Sequence, residues 1–454
     1  MNDITAFFAF LKYCLGYKGN ISRVVDSMDW QELYTFASKQ AILGLCFDGI
    51  ERLGEEYPEE LRLNPIGREL LMTWMGKAQQ ICRQNMKVNA VAGKLFSMLM
   101  EDGLRCCILK GQGNALMYSN PYSRTPGDID VWIDASRERI TEYASKKFKL
   151  EDDIRLQHLE TSLGGVPVEL HFFPCSMNNP IYHARLQKWF RRNADLQCSH
   201  IVGLPDGAGD IAVPTTAFNV VYQLCHLYHH FFDEGIGMRQ IIDYFLVVND
   251  FSKNVFLNIN FSNPSVSLSK GSSTFSPSPS SSGSGDVTAP SRCSEPLRSK
   301  DGGPSKVSPD CAVWDRLGTG GDMSSECYGA STTAVRSSTT AFDVVQRELK
   351  YLGLWKFAGA VMYVLHEALG LSEEKMIAPM DEKRGKLLLT EILNGGNFGQ
   401  HFTKYGHFTQ QGMAKKYFLK IWRNMHFVRY YPAEALSEPI FRTWHFFWRM
   451  NNKK

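Results

Sequence analysis

ILKGQGNALMYSNPYSRTPGDIDVWID, residues 108–134, decides the fold because it places two short apolar runs on either side of a turn-rich segment. The first run, RCCILKG, ends in glycine and predicts a buried strand. GQGNALMYSN predicts a short helix, and DIDVWID predicts a second strand. A strand, a helix and a second strand in so little chain predict the start of an α+β unit.

The segment that follows extends this unit. SRERITEYASKK predicts a helix with Ser136 as its N-cap, and FKLED predicts a short strand. RLQHLETSLGGVPVELHFF alternates apolar and polar residues on both sides of Gly164-Gly165, which is the signature of a hairpin with a primed turn. Residues 104–175 therefore form one compact unit, within a predicted core domain at 103–200.

Helical regions are predicted on both sides of this core. Apolar residues recur at three- and four-residue steps across 1–102, and Gly103 is placed as a helix stop. The same period returns within 201–250 and 341–454. Between them, residues 251–340 are dominated by Ser, Gly, Thr and Pro, a composition that cannot bury enough apolar surface to offset its ordering entropy. We expect a disordered insertion there. The predicted fold class is α+β, with a small mixed β-sheet flanked by helices.

Composition excludes several classes of protein. A net charge of +3 over 454 residues gives no strong signal for nucleic-acid binding. The N-terminal run ITAFFAFLKYCLGY is interrupted by Lys12 and is shorter than the ~20 residues that a membrane span needs. It also lacks the features of a signal peptide, and the eleven cysteines contain no C-x-x-C pair. We expect free thiols in a cytoplasmic protein that does not contact a membrane.

Asp128 and Asp130 are the candidate metal ligands. Residues two apart in a strand project from the same face, and two carboxylates that close repel each other unless a cation lies between them. Mg²⁺ prefers such oxygen ligands and completes its shell with substrate phosphates. The alternative is a solvated strand start, in which Asp128 only caps the turn after Pro126-Gly127. The dipeptide alone does not separate the two interpretations.

Three neighbouring features favour the metal site. Lys110 precedes a glycine-containing turn at a helix N-terminus, where backbone N–H groups favour an anion. Arg124 could hold phosphate oxygens bidentately, although it could also be a plain surface arginine. Glu169 and His171 share the polar face of a later hairpin strand and would add a third carboxylate. Two-metal phosphoryl transfer needs such a set, with one carboxylate to deprotonate the acceptor hydroxyl.

The stretch at 108–134, with VELHFF and HLYHHFFDEGIGMRQIIDYFLVV, resembles the bacterial uncharacterised nucleotidyltransferase family of the DNA polymerase β-like nucleotidyltransferase superfamily. The resemblance covers most of residues 30–250 and resumes from about 342 to 448, in LGLWKFAGAVMYVL and PIFRTWHFFWR. It implies a small mixed sheet flanked by helices. It also implies transfer of a nucleoside monophosphate from a nucleoside triphosphate, ATP in the first place, to an unidentified acceptor with release of pyrophosphate.

The resemblance also implies roles for individual residues. Asp128 and Asp130 would hold Mg²⁺ or Mn²⁺, and Glu169 would be the third carboxylate and general base. Lys110 and Gly111 stand where the superfamily has its Gly-Ser phosphate turn, with Gln112 in place of the serine, so the hydroxyl of that turn is missing here. The acceptor could be a sugar, a metabolite, a protein side chain or an RNA end.

Other readings of the same residues remain open. Haloacid-dehalogenase-like phosphatases and sugar transferases also use a D-x-D, and a catalytically degenerate nucleotide-binding or interaction module is the non-enzymatic alternative. The HLYHH segment contains His226, His229 and His230. These histidines could be metal ligands, but we expect them to line a cleft.

Four further features receive predictions from their positions alone. Arg239 and Asp243 are expected to form a helix ion pair, and His158 could approach the active cleft. Asp134 is expected to cap the next helix rather than join the site. KKYFLKIWRNMHFVRYY is expected to pack its aromatic residues into a core rather than stack on nucleic acid.

Overall fold

A computed structural model describes residues 4–19, 21–151, 155–262, 340–401 and 413–452. The described chain combines many helices with a four-stranded mixed sheet and a separate two-stranded ribbon, which confirms the predicted α+β class. The helices are α1 Ile4–Cys14, α2 Ser22–Asp26, α3 Trp30–Lys39, α4 Leu43–Glu56, α5 Pro58–Leu63, α6 Arg68–Glu101, α7 Gly111–Ala115, α8 Arg137–Lys147, α9 Pro180–Ser199, α10 Thr216–Asp233, α11 Met238–Ser262, α12 Ala341–Tyr351, α13 Trp355–Leu369, α14 Glu382–Gly395, α15 Met413–Met425 and α16 Pro432–Asn452. The strands are β1 Cys106–Leu109, β2 Ile129–Ile133, β3 His158–Leu163, β4 Val166–His171, β5 Ile201–Gly203 and β6 Asp210–Ala212.

The main sheet has the strand order β1-β2-β4-β3. β2 pairs antiparallel with β1 and parallel with β4, while β3 pairs antiparallel with β4. The parallel register places Asp130 directly opposite Glu169. Register partners project from the same face of a sheet, so the central pair of strands fixes two of the candidate carboxylates side by side.

The two faces of the sheet serve different purposes. Ile129, Val131 and Leu170 point to one face and join a smaller hydrophobic cluster that includes the buried residues of α6. On the other face, Leu109 and Trp132 join the larger core, which extends from α1 to α16. The carboxylates and histidines lie on this second face because their spacing of two along each strand keeps them there.

Glycines end α6 and turn the hairpin as predicted. Gly103 follows α6 with a φ of 74°, and Gly164 and Gly165 have φ values of 57° and 72°. Two consecutive positive φ angles are the requirement of a type I′ turn, which residues with a Cβ rarely meet. The predicted start of α8 is also confirmed, because the Ser136 side chain accepts a hydrogen bond from the N–H of Arg139.

Three local predictions were wrong. The described part of the FKLED segment, residues 148–151, forms no strand: it runs beside β3 and donates to it a backbone hydrogen bond from Glu151 N to Glu160 O at 3.0 Å. The region expected to be helical from residue 201 begins instead with the β5–β6 ribbon. Asp134 does not cap α8, since it forms an ion pair with Arg105.

The predicted insertion at 251–340 lies mostly outside the described residues. Its first part was predicted wrongly, because the helix α11 continues through Phe251 and ends at Ser262. The described chain resumes at Thr340, whose side chain forms a reciprocal capping box with Asp343 at the start of α12.

Two expectations from composition can be compared with the described ranges. None of the helices there is long and apolar enough to cross a membrane. The eight cysteines there form no disulfide with one another, and seven of them are buried. Phe427 and Tyr431 of the KKYFLKIWRNMHFVRYY segment are buried in the larger core, as predicted, whereas Trp422 is half exposed.

Candidate active site

Three carboxylates converge at the junction of β2 and β4. Asp128 lies just before β2, Asp130 is in it, and Glu169 lies opposite Asp130 on β4. One carboxylate oxygen from each residue lies within 4.8 Å of the other two. Asp130 is buried, Glu169 is half-buried, and Asp128 is exposed to solvent. The structure thus brings together the three carboxylates that the sequence singled out, with one open side.

Their pKa values indicate an excess of negative charge. Burial would raise the pKa of Asp130, but Lys110 and His171 lower it well below the usual range, so this group is an anion. The charge of Asp130 raises the pKa of its neighbour Asp128 to about 6. A carboxyl group that becomes this easy to protonate has too little positive charge around it. An oxygen-rich donor set in that state suits a hard divalent cation.

His171 connects two of the carboxylates. Its Nε2 lies 3.0 Å from Asp130 Oδ1 and 3.1 Å from Glu169 Oε2. Burial alone would lower the pKa of His171, but the hydrogen bonds to these two carboxylates raise it to about 9. The sequence predicted the face on which His171 lies but assigned it no role, because this contact depends on the pairing of β2 with β4.

His158 approaches the site from β3. Its Nδ1 lies 3.3 Å from Glu169 Oε2, in agreement with the prediction that it could reach the cleft. Burial, followed by the charge of His171, lowers the pKa of His158 to about 4, so its ring is neutral near pH 7. Together with His158 and His171, Glu169 forms a second group whose ligand atoms lie within 4.8 Å of one another.

Lys110 is the cation of the site. Its Nζ lies 3.0 Å from Asp130 Oδ1 and 2.8 Å from His226 Nε2. Burial would lower the pKa of Lys110, yet the three carboxylates raise it overall. The backbone of Lys110 has a φ of 51°, a conformation that turns the chain directly from β1 into α7. Because α7 has only five residues, the dipole that we predicted to attract phosphate is small.

The side chain of Gln112 faces α6, so it is not placed to contact a phosphate in the cleft. It is buried, and its Nε2 donates a hydrogen bond to Asn89 Oδ1 on α6. Gly111, by contrast, lines the cleft beside Asp128. Gln112 therefore attaches α7 to α6.

Arg124 forms the buried ion pair of the site, and it does so with a residue on α11. Its Nε and Nη2 donate to Asp243 Oδ1 and Oδ2 at 2.9 and 2.7 Å, and both side chains are almost fully buried. Tyr118 also donates to Asp243 Oδ1, at 2.8 Å. The predicted helix pair between Asp243 and Arg239 is therefore replaced by a bidentate pair across 119 residues of chain.

Arg239 is consequently left without a carboxylate in the described part of the structure. Its Nη1 donates to the carbonyl of Thr125 at 3.1 Å, and its buried Nε has no hydrogen-bond partner. Burial, followed by repulsion from Arg124, lowers the pKa of Arg239, although an arginine keeps its charge near pH 7. A buried guanidinium with an unused donor fits an anion. The sequence missed this role because the i, i+4 spacing to Asp243 suggested a partner.

These side chains surround a cleft with a cavity volume of about 50 Å³, which we call the Lys110 cleft. Its lining combines three aspartates with three cationic groups and three amides. The lining residues are Lys110, Gly111, Asn114, Arg124, Gly127, Asp128, Asp130, Gln223, His226, Leu227, Arg239, Gln240, Asp243 and Phe398.

Two of the three α10 histidines line clefts: His226 lines the Lys110 cleft, and His229 lines a second cleft. Burial, followed by the charge of Lys110, lowers the pKa of His226 well below its usual range, so its neutral ring accepts from Lys110. His226 Nε2 also lies 2.9 Å from His230 Nε2, so the two share a face as predicted. Among the described residues, the groups able to hold a metal include none of the α10 histidines.

Comparison with known proteins gives one match. Residues 26–259, slightly more than half of the chain, match a family model described as an uncharacterised nucleotidyltransferase. This range contains β1 to β4 and every lining residue of the Lys110 cleft except Phe398. No curated protein and no solved structure matches the chain.

Proposed function

The chain belongs to this uncharacterised nucleotidyltransferase family, and on that premise we propose that it transfers a nucleoside monophosphate from a nucleoside triphosphate to an acceptor, with release of pyrophosphate. ATP is the first candidate donor. The proposal includes kinship with the DNA polymerase β-like superfamily, because the D-x-D of β2 and the later Glu169 follow the pattern of that superfamily.

The observation that carries the proposal is the convergence of Asp128, Asp130 and Glu169 beside a cleft whose lining includes a lysine and two arginines. These three residues would hold Mg²⁺ or Mn²⁺, and an ion bound there would neutralise phosphate oxygens and the charge that develops on the leaving group. The donor set fits such an ion, because all three ligands are carboxylates and one of them has a raised pKa.

The remaining residues of the Lys110 cleft would bind the triphosphate. Lys110 and Arg239 supply positive charge, and the N–H of Gly111 supplies a backbone donor. Arg124 keeps Asp243 in place and thereby leaves Arg239 directed at the cleft. We assign Gln112 to the packing of α7 against α6 rather than to the nucleotide.

Glu169 would take the proton of the acceptor hydroxyl. Burial would raise its pKa, but the hydrogen bond from His171 lowers it overall, so the carboxylate is ionised and able to accept a proton at neutral pH. The hydrogen bond between His171 Nε2 and Glu169 Oε2 orients the carboxylate, and His158 Nδ1 lies 3.3 Å from the same oxygen. The other carboxylate oxygen, Oε1, is left for the acceptor.

The alternative is a catalytically degenerate protein that binds a nucleotide without transferring it. The inward position of Gln112 favours this alternative, since no serine hydroxyl contacts the phosphates. The complete carboxylate set favours an enzyme. Binding and transfer must therefore be measured separately.

Thermal shift with ATP, CTP, GTP and UTP, each with and without Mg²⁺, tests binding. At a ligand concentration of 100 times Kd, stabilisation should be about 2.7 kcal/mol. We expect it to require Mg²⁺ and to disappear in Asp128→Asn/Asp130→Asn. Asp134→Asn is the matched control, because it removes a carboxylate at the far end of β2 whose partner is Arg105. Absence of any Mg²⁺- and aspartate-dependent shift would refute the proposal, whereas binding without label transfer from α-labelled ATP to components of a cell extract would favour the degenerate alternative.

A further inference from the structure

A second cleft, with a cavity volume of about 320 Å³, lies next to the carboxylates, and we call it the His229 cleft. His158 lines it, and His158 Nδ1 is 3.3 Å from Glu169 Oε2, so its wall reaches the candidate base. The other lining residues come from the segment before β3, the segment after β4, the end of α10, and α15 and α16. They are Arg155, Leu156, Gln157, Ser176, Asn178, His229, Phe232, Asp233, Glu234, Lys420, Glu438, Phe441, Arg442 and His445.

The cations of the His229 cleft are already paired. Arg155 Nε lies 2.8 Å from Glu160 Oε1. Lys420 Nζ and Arg442 Nη2 lie 2.7 and 3.0 Å from Asp233 Oδ1. With each of these lining cations neutralised by a carboxylate, the described part of the cleft offers no free positive charge to a phosphorylated or nucleic-acid acceptor.

Two buried polar groups of the cleft lack hydrogen-bond partners among the described residues. Glu438 is 1% exposed; its Oε1 accepts from Arg442, while its Oε2 has no hydrogen-bond partner. His229 Nδ1 is also buried without a partner, and burial lowers the pKa of His229 to about 4, so its ring is neutral. A buried polar atom without a partner destabilises the fold. A bound hydroxyl group can satisfy either atom, because it donates as well as accepts.

Apolar surface accompanies these polar groups. Phe232 and Phe441 line the same cleft, which also carries the amides of Gln157 and Asn178. Small-molecule sites combine apolar walls with a few placed polar groups in a volume of roughly 300–1,000 Å³. The ring and C–H surface of a sugar or polyol matches the phenylalanines, and its hydroxyls match the amides, the imidazole and the carboxylate.

We propose that the His229 cleft binds the acceptor and that the acceptor is a neutral polyhydroxylated small molecule, a sugar or polyol. This inference rests on the proposed nucleotidyl transfer. One acceptor hydroxyl gives its proton to Glu169, and its oxygen forms a bond to the α-phosphorus of the nucleotide. The bond from that phosphorus to the bridging oxygen breaks, and pyrophosphate leaves with the electron pair.

The test uses the full chain and pairs of probes that differ by one phosphate group. Ligand-observed NMR and calorimetry compare glucose, N-acetylglucosamine, ribose and glycerol with glucose 6-phosphate, N-acetylglucosamine 6-phosphate, ribose 5-phosphate and glycerol 3-phosphate. We expect at least one neutral probe to bind, and its phosphorylated counterpart to bind at least tenfold more weakly.

Two variants locate the binding. Glu438→Gln and His229→Gln should each weaken the neutral probe at least tenfold while leaving the thermal shift by Mg²⁺–ATP unchanged. Glu382→Gln is the matched control, because its exposed carboxylate pairs with Lys386 on α14, outside the cleft. The unchanged Mg²⁺–ATP shift also shows that each variant is folded.

Each other outcome has a defined meaning. No binding of any neutral probe, tighter binding of the phosphorylated probes, or binding that neither variant weakens would overturn the inference, even with the Mg²⁺–ATP shift intact. Absence of the Mg²⁺–ATP shift in the unmodified chain would instead refute the proposed function. The binding of the neutral and phosphorylated probes can be measured whether or not that shift is present.

Discussion

The Asp243→Asn variant is expected to lose about 3–5 kcal/mol of unfolding free energy, the cost of breaking a buried ion pair from one side. Asp243 is 4% exposed and its partner Arg124 is 6% exposed, so water cannot replace the lost charge. Both carboxylate oxygens are used by Arg124, at 2.7 and 2.9 Å. The variant would leave a buried guanidinium beside the equally buried Arg239, and the two positive charges would then repel each other.

Urea denaturation followed by circular dichroism measures this loss, with the slope of the transition checked for each variant. Tyr118→Phe is the matched control: it removes one hydrogen bond to Asp243 and keeps the ion pair, so it should cost about 0.5–1.5 kcal/mol. Arg124→Leu/Asp243→Asn removes the buried positive charge and should recover much of the loss. Two results would show that this pair does not anchor α11 to the site. The first is a loss of unfolding free energy in Asp243→Asn no larger than that in Tyr118→Phe. The second is a double variant whose loss equals the sum of the losses of its two single variants.

The other predictions concern the cleft, the packing below it and the C-terminal helices. Arg239→Ala should weaken Mg²⁺–ATP binding at least tenfold in calorimetry, with Arg239→Lys in between; equal affinity in all three proteins would remove Arg239 from the nucleotide site. Gly44→Ala should destabilise the chain by about 1–3 kcal/mol in urea, because a Cβ there would overlap the backbone carbonyl of Ser123, whereas Gly76→Ala meets no atom within 4 Å and should be neutral or stabilising. Burial raises the pKa of Glu434 to about 7, so the folded state holds this proton more tightly than the unfolded chain does. The stability that this proton contributes is therefore fully present below pH 4.5 and is lost as the pH rises to about 7. Glu434→Gln should flatten the curve of unfolding free energy against pH over that range. An unchanged slope would contradict the assignment of this pH dependence to Glu434.

Local patterns predicted the parts of the site that depend on local geometry. Strand periodicity placed Asp128 beside Asp130 and Glu169 beside His171, and the Gly164-Gly165 pair predicted the hairpin that carries Glu169. These predictions succeeded because side-chain direction in a strand, and the need for positive φ in a primed turn, are properties of a few consecutive residues.

Features that depend on distant pairing could not be predicted in this way. Arg239 lies four residues before Asp243 on α11, yet Asp243 pairs with Arg124, which approaches from a turn 119 residues earlier in the chain. The contact of His171 with Asp130 requires the parallel register of β2 and β4. The strand predicted at FKLED was wrong because its strand-like composition is not accompanied by the backbone hydrogen bonds of a strand.

The two clefts draw on different parts of the chain. The Lys110 cleft is built almost entirely from residues inside the family match, whereas Lys420, Phe441 and other lining residues of the His229 cleft lie well beyond it. If the His229 cleft binds the acceptor, as proposed, a gene that changes only in its last segment would keep the residues of the Lys110 cleft and alter the acceptor site. Grafting α15 and α16 from another family member would then change the acceptor and leave the nucleotide site as it is.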